Sequence, residues 1–146
     1  MRKNSNILHV LMSTHVVRVV PGIGSFLNIY LKHSGQKDEF QIWLYLCDWA
    51  LTVHGKEVIS SDAGPDILVF DFASVINQST VMIRAEALDD EEVHLIFSGD
   101  VVIEIWSNST SYGAGAQMFF IFKNGEALAS YESPLNLEKP VPIESD

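Results

Sequence analysis

The 146-residue sequence predicts a mainly β fold, α+β by content, in which an antiparallel meander of about eight strands curls into a barrel-like or two-layer sheet with one short helix. Three observations carry that expectation. Apolar and polar residues alternate with period 2 through most of the chain, as on strands that turn one face inward. Turn chemistry recurs at short intervals, at Pro21-Gly22-Ile23-Gly24, Gly99-Asp100 and Asn124-Gly125. Only residues 65–76 carry helix-start chemistry.

Taken in order, Ile7, Leu8, Val10, Leu11 and Met12 fit either one helical turn or a strand. Val16, Val17, Val19 and Val20 are β-branched, stiff at χ1 and suited to a pleated surface, so they predict a strand. After the Pro21 turn, Phe26, Asn28, Tyr30 and Lys32 alternate with Leu27, Ile29 and Leu31, which makes the second arm of a hairpin. Residues 33–39 form a polar loop, and Phe40 to Leu51 reads as one long central strand because both of its faces are apolar. On it Trp43, Tyr45, Cys47 and Trp49 share a face, while Asp48 lies on the other near the end of the run.

His54-Gly55-Lys56-Glu57 turns the chain into a further short strand. At Pro65-Asp66 a proline and an acid suit a helix N-terminus, although the branched and aromatic content that follows leaves a strand as the other reading of 65–76. From Thr80 three strands follow, 80–88, 93–98 and 101–106, joined by the acidic turn Asp89 to Glu92 and by Gly99-Asp100. Residues 108–116 form a loop, and Asn124-Gly125 closes a last hairpin between 117–123 and 126–132. Residues 1–133 therefore make one β-rich domain, and 134–146 a tail in which Pro134, Pro140 and Pro142 end strand pairing.

Composition limits the function. Nine Lys and Arg stand against 19 Asp and Glu, a formal charge of −10, which repels phosphate backbones and excludes nucleic acid as a partner. The same charge steers encounter with a basic protein surface. No run approaches the roughly 18 apolar residues of a spanning helix, and the start, with His9 inside its short apolar run, is not expected to act as a signal peptide. Cys47 is the only cysteine, so an intramolecular disulfide and a CxxC zinc site are excluded, and a cytoplasmic location is expected.

The chemistry-bearing residues form no recognisable catalytic set. Gly22-Ile23-Gly24 and Gly113-Ala114-Gly115 lack the ending and spacing of phosphate loops. The five histidines show no metal-ligand spacing, so no metal and no cofactor is expected. Cys47, between Tyr45 and Trp49 on its face, reads as a buried, unreactive thiol. Asp89, Asp90, Glu91, Glu92, Asp100 and Glu104 are the candidate partner-binding residues; as a solvated turn and its flanks they suit contact with a basic surface better than acid–base catalysis, since nothing desolvates them. Trp43, Trp49 and Trp106 read mainly as core.

Two stretches resemble a known family. Cys47 to Asp62, CDWALTVHGKEVISSD, has a small residue, a tryptophan on a strand, a turn and a serine-aspartate pair. Val93 to Trp106, VHLIFSGDVVIEIW, has an apolar strand ending in Phe, a glycine turn and a second apolar strand. Together they resemble small bacterial domains of unknown function encoded near polymorphic or contact-dependent toxins, which look like immunity proteins. The resemblance, from about Phe40 to Trp106, implies a non-enzymatic protein that binds and silences one cognate toxin, with no catalytic residues to carry over. The alternative expectation is a carrier whose curled sheet holds a small apolar ligand among Phe119, Phe122, Trp106 and Trp43. A strand left open at a sheet edge is compatible with a homodimer.

Overall fold

The computed structural model describes residues 7–89, 91–112, 116–132 and 141–142. Two antiparallel sheets face each other across one apolar core. Sheet A has the order β1-β2-β3-β9-β10-β11, from β1 (His15–Pro21), β2 (Leu27–Lys32), β3 (Glu39–Leu44), β9 (Gln117–Lys123), β10 (Glu126–Glu132) and the two-residue β11 (Val141–Pro142). Sheet B has the order β5-β4-β8-β7-β6, from β4 (Asp48–Val53), β5 (Lys56–Ser60), β6 (Met82–Asp89), β7 (Glu92–Phe97) and β8 (Val101–Trp106). The expected β-rich, two-layer character holds. The simple meander does not, because β9 lies beside β3, and β8 beside β4.

The largest correction concerns Phe40 to Leu51. It is not one central strand but two, β3 in sheet A and β4 in sheet B. Tyr45 N–H still donates to Met118 O at 2.9 Å and Leu46 N–H to Gln117 O at 3.2 Å, after which the chain bends into the other sheet. At that bend the inward parity switches. Phe40, Ile42 and Leu44 are buried before it, and Cys47, Trp49 and Leu51 after it. A run whose two faces both looked apolar was therefore two half-buried strands of opposite phase, and Trp43 and Trp49 point to opposite sides of the core wall. Their pairing partners, β8 and β9, likewise lie in different sheets and follow one another in the chain, separated by residues 107–116.

Trp49 fixes this corner. Its ring is fully buried, its Nε1–H donates to Ser25 O at 2.7 Å, and its backbone N–H donates to Ser61 Oγ at 3.0 Å. Those two bonds tie the β1–β2 turn and the start of the 61–79 segment to sheet B. The opposite side is joined by backbone bonds from Val16 N–H to Thr80 O, 2.9 Å, and from Met82 N–H to Thr14 O, 2.8 Å.

Of the local expectations, residues 7–11 form a 3-10 turn, and 65–76 resolve into the single turn α1 (Asp66–Val69), begun by Pro65, and a 3-10 turn at Phe72–Ser74. Ile67, Phe72 and Ile76 from this segment enter the core. The loop after β8 carries one further turn, α2 (Ser109–Tyr112); Gly113 to Gly115 lie outside the described residues. The hairpin at Asn124-Gly125 has the expected type I′ character, φ +51° and +84°, and His54-Gly55 repeats it at +53° and +79°. Asn124 also clamps the neighbouring turn, with Nδ2–H donating to Asp38 Oδ1 and Oδ1 accepting from Glu39 N–H, both at 2.9 Å.

The tail was expected not to pair, yet Val141 and Pro142 pair with Ser130 and Ala129. Proline is compatible there because β11 is an edge strand, where no further ladder needs its missing N–H. The other edge of sheet A, β1, ends in Pro21 and has the Phe72–Ser74 turn packed beside it.

Candidate functional site

Alternation in sheet B sends Val93, Leu95, Phe97, Val101, Ile103 and Ile105 inward, so the intervening residues form an outer face. Register then brings acids together. His94 of β7 lies opposite Glu104 of β8 on one side and Glu86 of β6 on the other, and Trp106 of β8 lies between Glu92 and Asp48. Strands about 4.8 Å apart, with same-face neighbours about 7 Å apart, put each of these carboxylates within about one Debye length of the next in physiological salt, so neighbouring fields add.

Of the residues expected to bind a partner, Glu92 and Glu104 sit on this face, half-buried. His94 Nε2 lies 2.7 Å from Glu92 Oε2, so the imidazole N–H donates to the carboxylate and holds it in place. Glu91 belongs to the adjoining β6–β7 turn, where its side chain accepts from Ser107 Oγ and its carbonyl accepts from Ser107 N–H at 2.8 Å. Asp89 ends β6 opposite Glu92, and Asp90 lies outside the described residues.

Asp100 does not join this cluster. It sits in the β7–β8 turn at the far end of the strand, roughly 20 Å away at about 3.4 Å per residue. There it faces His54, with Oδ2 3.0 Å from Nδ1, both side chains largely exposed.

Sequence reasoning missed four members of the face. Glu86, His94 and Trp106 were legible in principle, because the β6–β7 turn sets 86 against 94 and the tight turn at Gly99-Asp100 sets 94 against 104 and 92 against 106. Asp48, expected near the end of its run, lies at the rim of this face and is held by side chains. Asn108 Nδ2–H donates to Oδ2 at 2.8 Å and Ser61 Oγ–H to Oδ1 at 3.5 Å.

A second feature was missed entirely. The outer face of sheet A carries five interlocking rings, Phe26, Trp43, Tyr45, Phe120 and Phe122, none of them fully buried. Trp43 meets all four others, stacked on Phe120 with centroids 5.2 Å apart and tilted on Tyr45 at 4.6 Å. Beside them Arg18 sits 4.0 Å over the Tyr30 ring and pairs with Glu39 at 3.2 Å. The residues proposed to line a carrier pocket do not converge: Phe119 is buried between the sheets, Phe122 and Trp43 lie outside sheet A, and Trp106 lies outside sheet B.

Charge divides the same way. Sheet B and its hairpin turns carry Asp48, Glu57, Glu86, Asp89, Glu91, Glu92, Asp100 and Glu104 against Lys56 and Arg84 among the described residues. Sheet A and its turns balance Asp38, Glu39, Glu126 and Glu132 with Arg18, Lys32, Lys37 and Lys123. Burial pushes the Cys47 thiol far above its ordinary pKa, which makes it a poor nucleophile. No group of three or more candidate metal ligands occurs among the described residues, and no helix there is long and apolar enough to cross a membrane. The chain matches no family model, no curated protein and no solved structure.

Proposed function

We propose that the chain is a non-enzymatic protein-binding domain of the immunity type, acting in the cytoplasm, whose acidic face covers a basic surface on a cognate toxin domain. The observation that supports it is the gathering of Glu86, Glu92, Glu104 and Asp48 on one side of sheet B around His94 and Trp106. Ordered carboxylates beside a half-buried aromatic combine long-range steering with a contact that excludes water. The free thiol of Cys47 suits a reducing compartment.

The test is expression of each neighbouring open reading frame alone and together with this chain. A neighbour that is toxic alone and harmless in its company is the expected result; if none behaves so, the reading fails. With a partner in hand, Glu92→Lys combined with Glu104→Lys should slow association at least tenfold at low salt, and the difference should shrink in about 0.5 M salt.

A further inference from the structure

We infer that the aromatic outer face of sheet A is the interface for a second copy of this chain, forming a two-fold dimer that leaves both acidic faces outward. This goes beyond the binding reading and does not depend on it.

Charge selects the occupant. Each copy carries −10, so an identical molecule approaching through sheet B would set carboxylates against carboxylates. Among the described residues, sheet A is the broad face on which acids and bases balance, and there Arg18 and Lys123 lie beside Glu39 and Asp38, a pattern that a two-fold axis can cross-match. The surface is also self-complementary in kind. Aromatic rings meet one another by edge and by face, and a patch of Phe26, Trp43, Tyr45, Phe120 and Phe122 offers both to its own copy.

Size fits as well. Five full strands about 4.8 Å apart and six residues long at about 3.4 Å each span a projected area of roughly 500 Å², at the lower end of what one partner contributes to a weak to standard dimer. Pairing through an edge strand is less suitable, because β1 closes in Pro21 and is flanked by the Phe72–Ser74 turn.

Sedimentation velocity of the full chain from about 1 to 300 μM tests this. Dimer formation is expected within that range, and it should strengthen or stay level as salt rises, since screening reduces the repulsion between two acidic copies. Trp43→Ser and, separately, Ala127→Glu should each weaken dimerisation at least tenfold; Ala127 lies opposite Phe122 at the margin of the patch, so its substitution adds like charge across the axis while leaving the rings in place. Glu92→Gln with Glu104→Gln should leave it unchanged. A monomer at 300 μM overturns the inference, as does a dimer that survives Ala127→Glu in a folded protein. Toxin rescue is read separately, so failure of the dimer and failure of the partner reading are distinguishable.

Discussion

The outer faces of the two sheets follow the same rule and end as chemical opposites. In both, every second residue leaves the core, but sheet A spends those positions on interlocked rings with balanced charge, and sheet B spends them on carboxylates around a histidine and a tryptophan. Alternation therefore says that a residue points outward without saying what the outward surface is for. That second property appears only when register assembles residues from separate hairpins. Trp43 and Trp49, six positions apart in one apolar run, make the contrast within a single stretch: one is a surface platform, the other the pin of the corner.

The sharpest way to break this comparison is to truncate both tryptophans. Trp49→Ala should cost about 3–5 kcal/mol in denaturant unfolding, whereas Trp43→Ala should cost less than about 2 kcal/mol. Equal losses would mean that the sheet A rings belong to the core. Next comes alkaline pH, which should act on the interior and spare both faces. Burial raises the Cys47 thiol, so the native state keeps a proton that the unfolded chain loses; stability is intact below the unfolded pKa, about 8.5, and falls above it by up to about 1.4 kcal/mol per pH unit. Tyr131 adds to the fall above about pH 10 for the same reason, its burial only partly offset by the Leu8 backbone. Cys47→Ala should flatten the first part of that slope.

Smaller effects sharpen the picture. The buried Tyr131 hydroxyl makes no well-formed hydrogen bond, while its ring stacks on Phe119 at 4.7 Å, so Tyr131→Phe should raise stability by about 1 kcal/mol. Asp48→Ala removes the acceptor for Asn108 at the rim of the acidic face and should cost about 1 kcal/mol in thermal unfolding. His54→Ala should change stability by less than about 0.5 kcal/mol, because its pair with Asp100 is 74% and 67% exposed. A larger loss there would give the far end of sheet B a structural role it is not assigned.

How much of this was legible can be judged from particular residues. Strands flanking Gly99-Asp100 and Asn124-Gly125 were, because turn chemistry and alternation both report on neighbours within a few positions. The bend at Tyr45 to Cys47 was not, since a strand that changes sheets keeps its apolar content and shifts only its phase, a displacement that reads as a two-faced central strand. The acidic turn pointed to Glu91 and Glu92, and alternation placed Glu104 on its face. Asp48 comes from a strand whose partner, β8, is far away in sequence, and Phe26, Trp43 and Phe120 meet only after separate strands are laid in register.

The crossing at β3–β4 also bears on how the molecule comes apart. Since one short bend joins the two sheets and its Tyr45 and Leu46 amides stay bonded to Met118 and Gln117, peeling away either sheet strains the other. Heat or denaturant should find one all-or-none transition, with Tyr45 and Leu46 amides among the last to exchange with solvent, and no long-lived half-unfolded species offering sticky sheet edges to its neighbours.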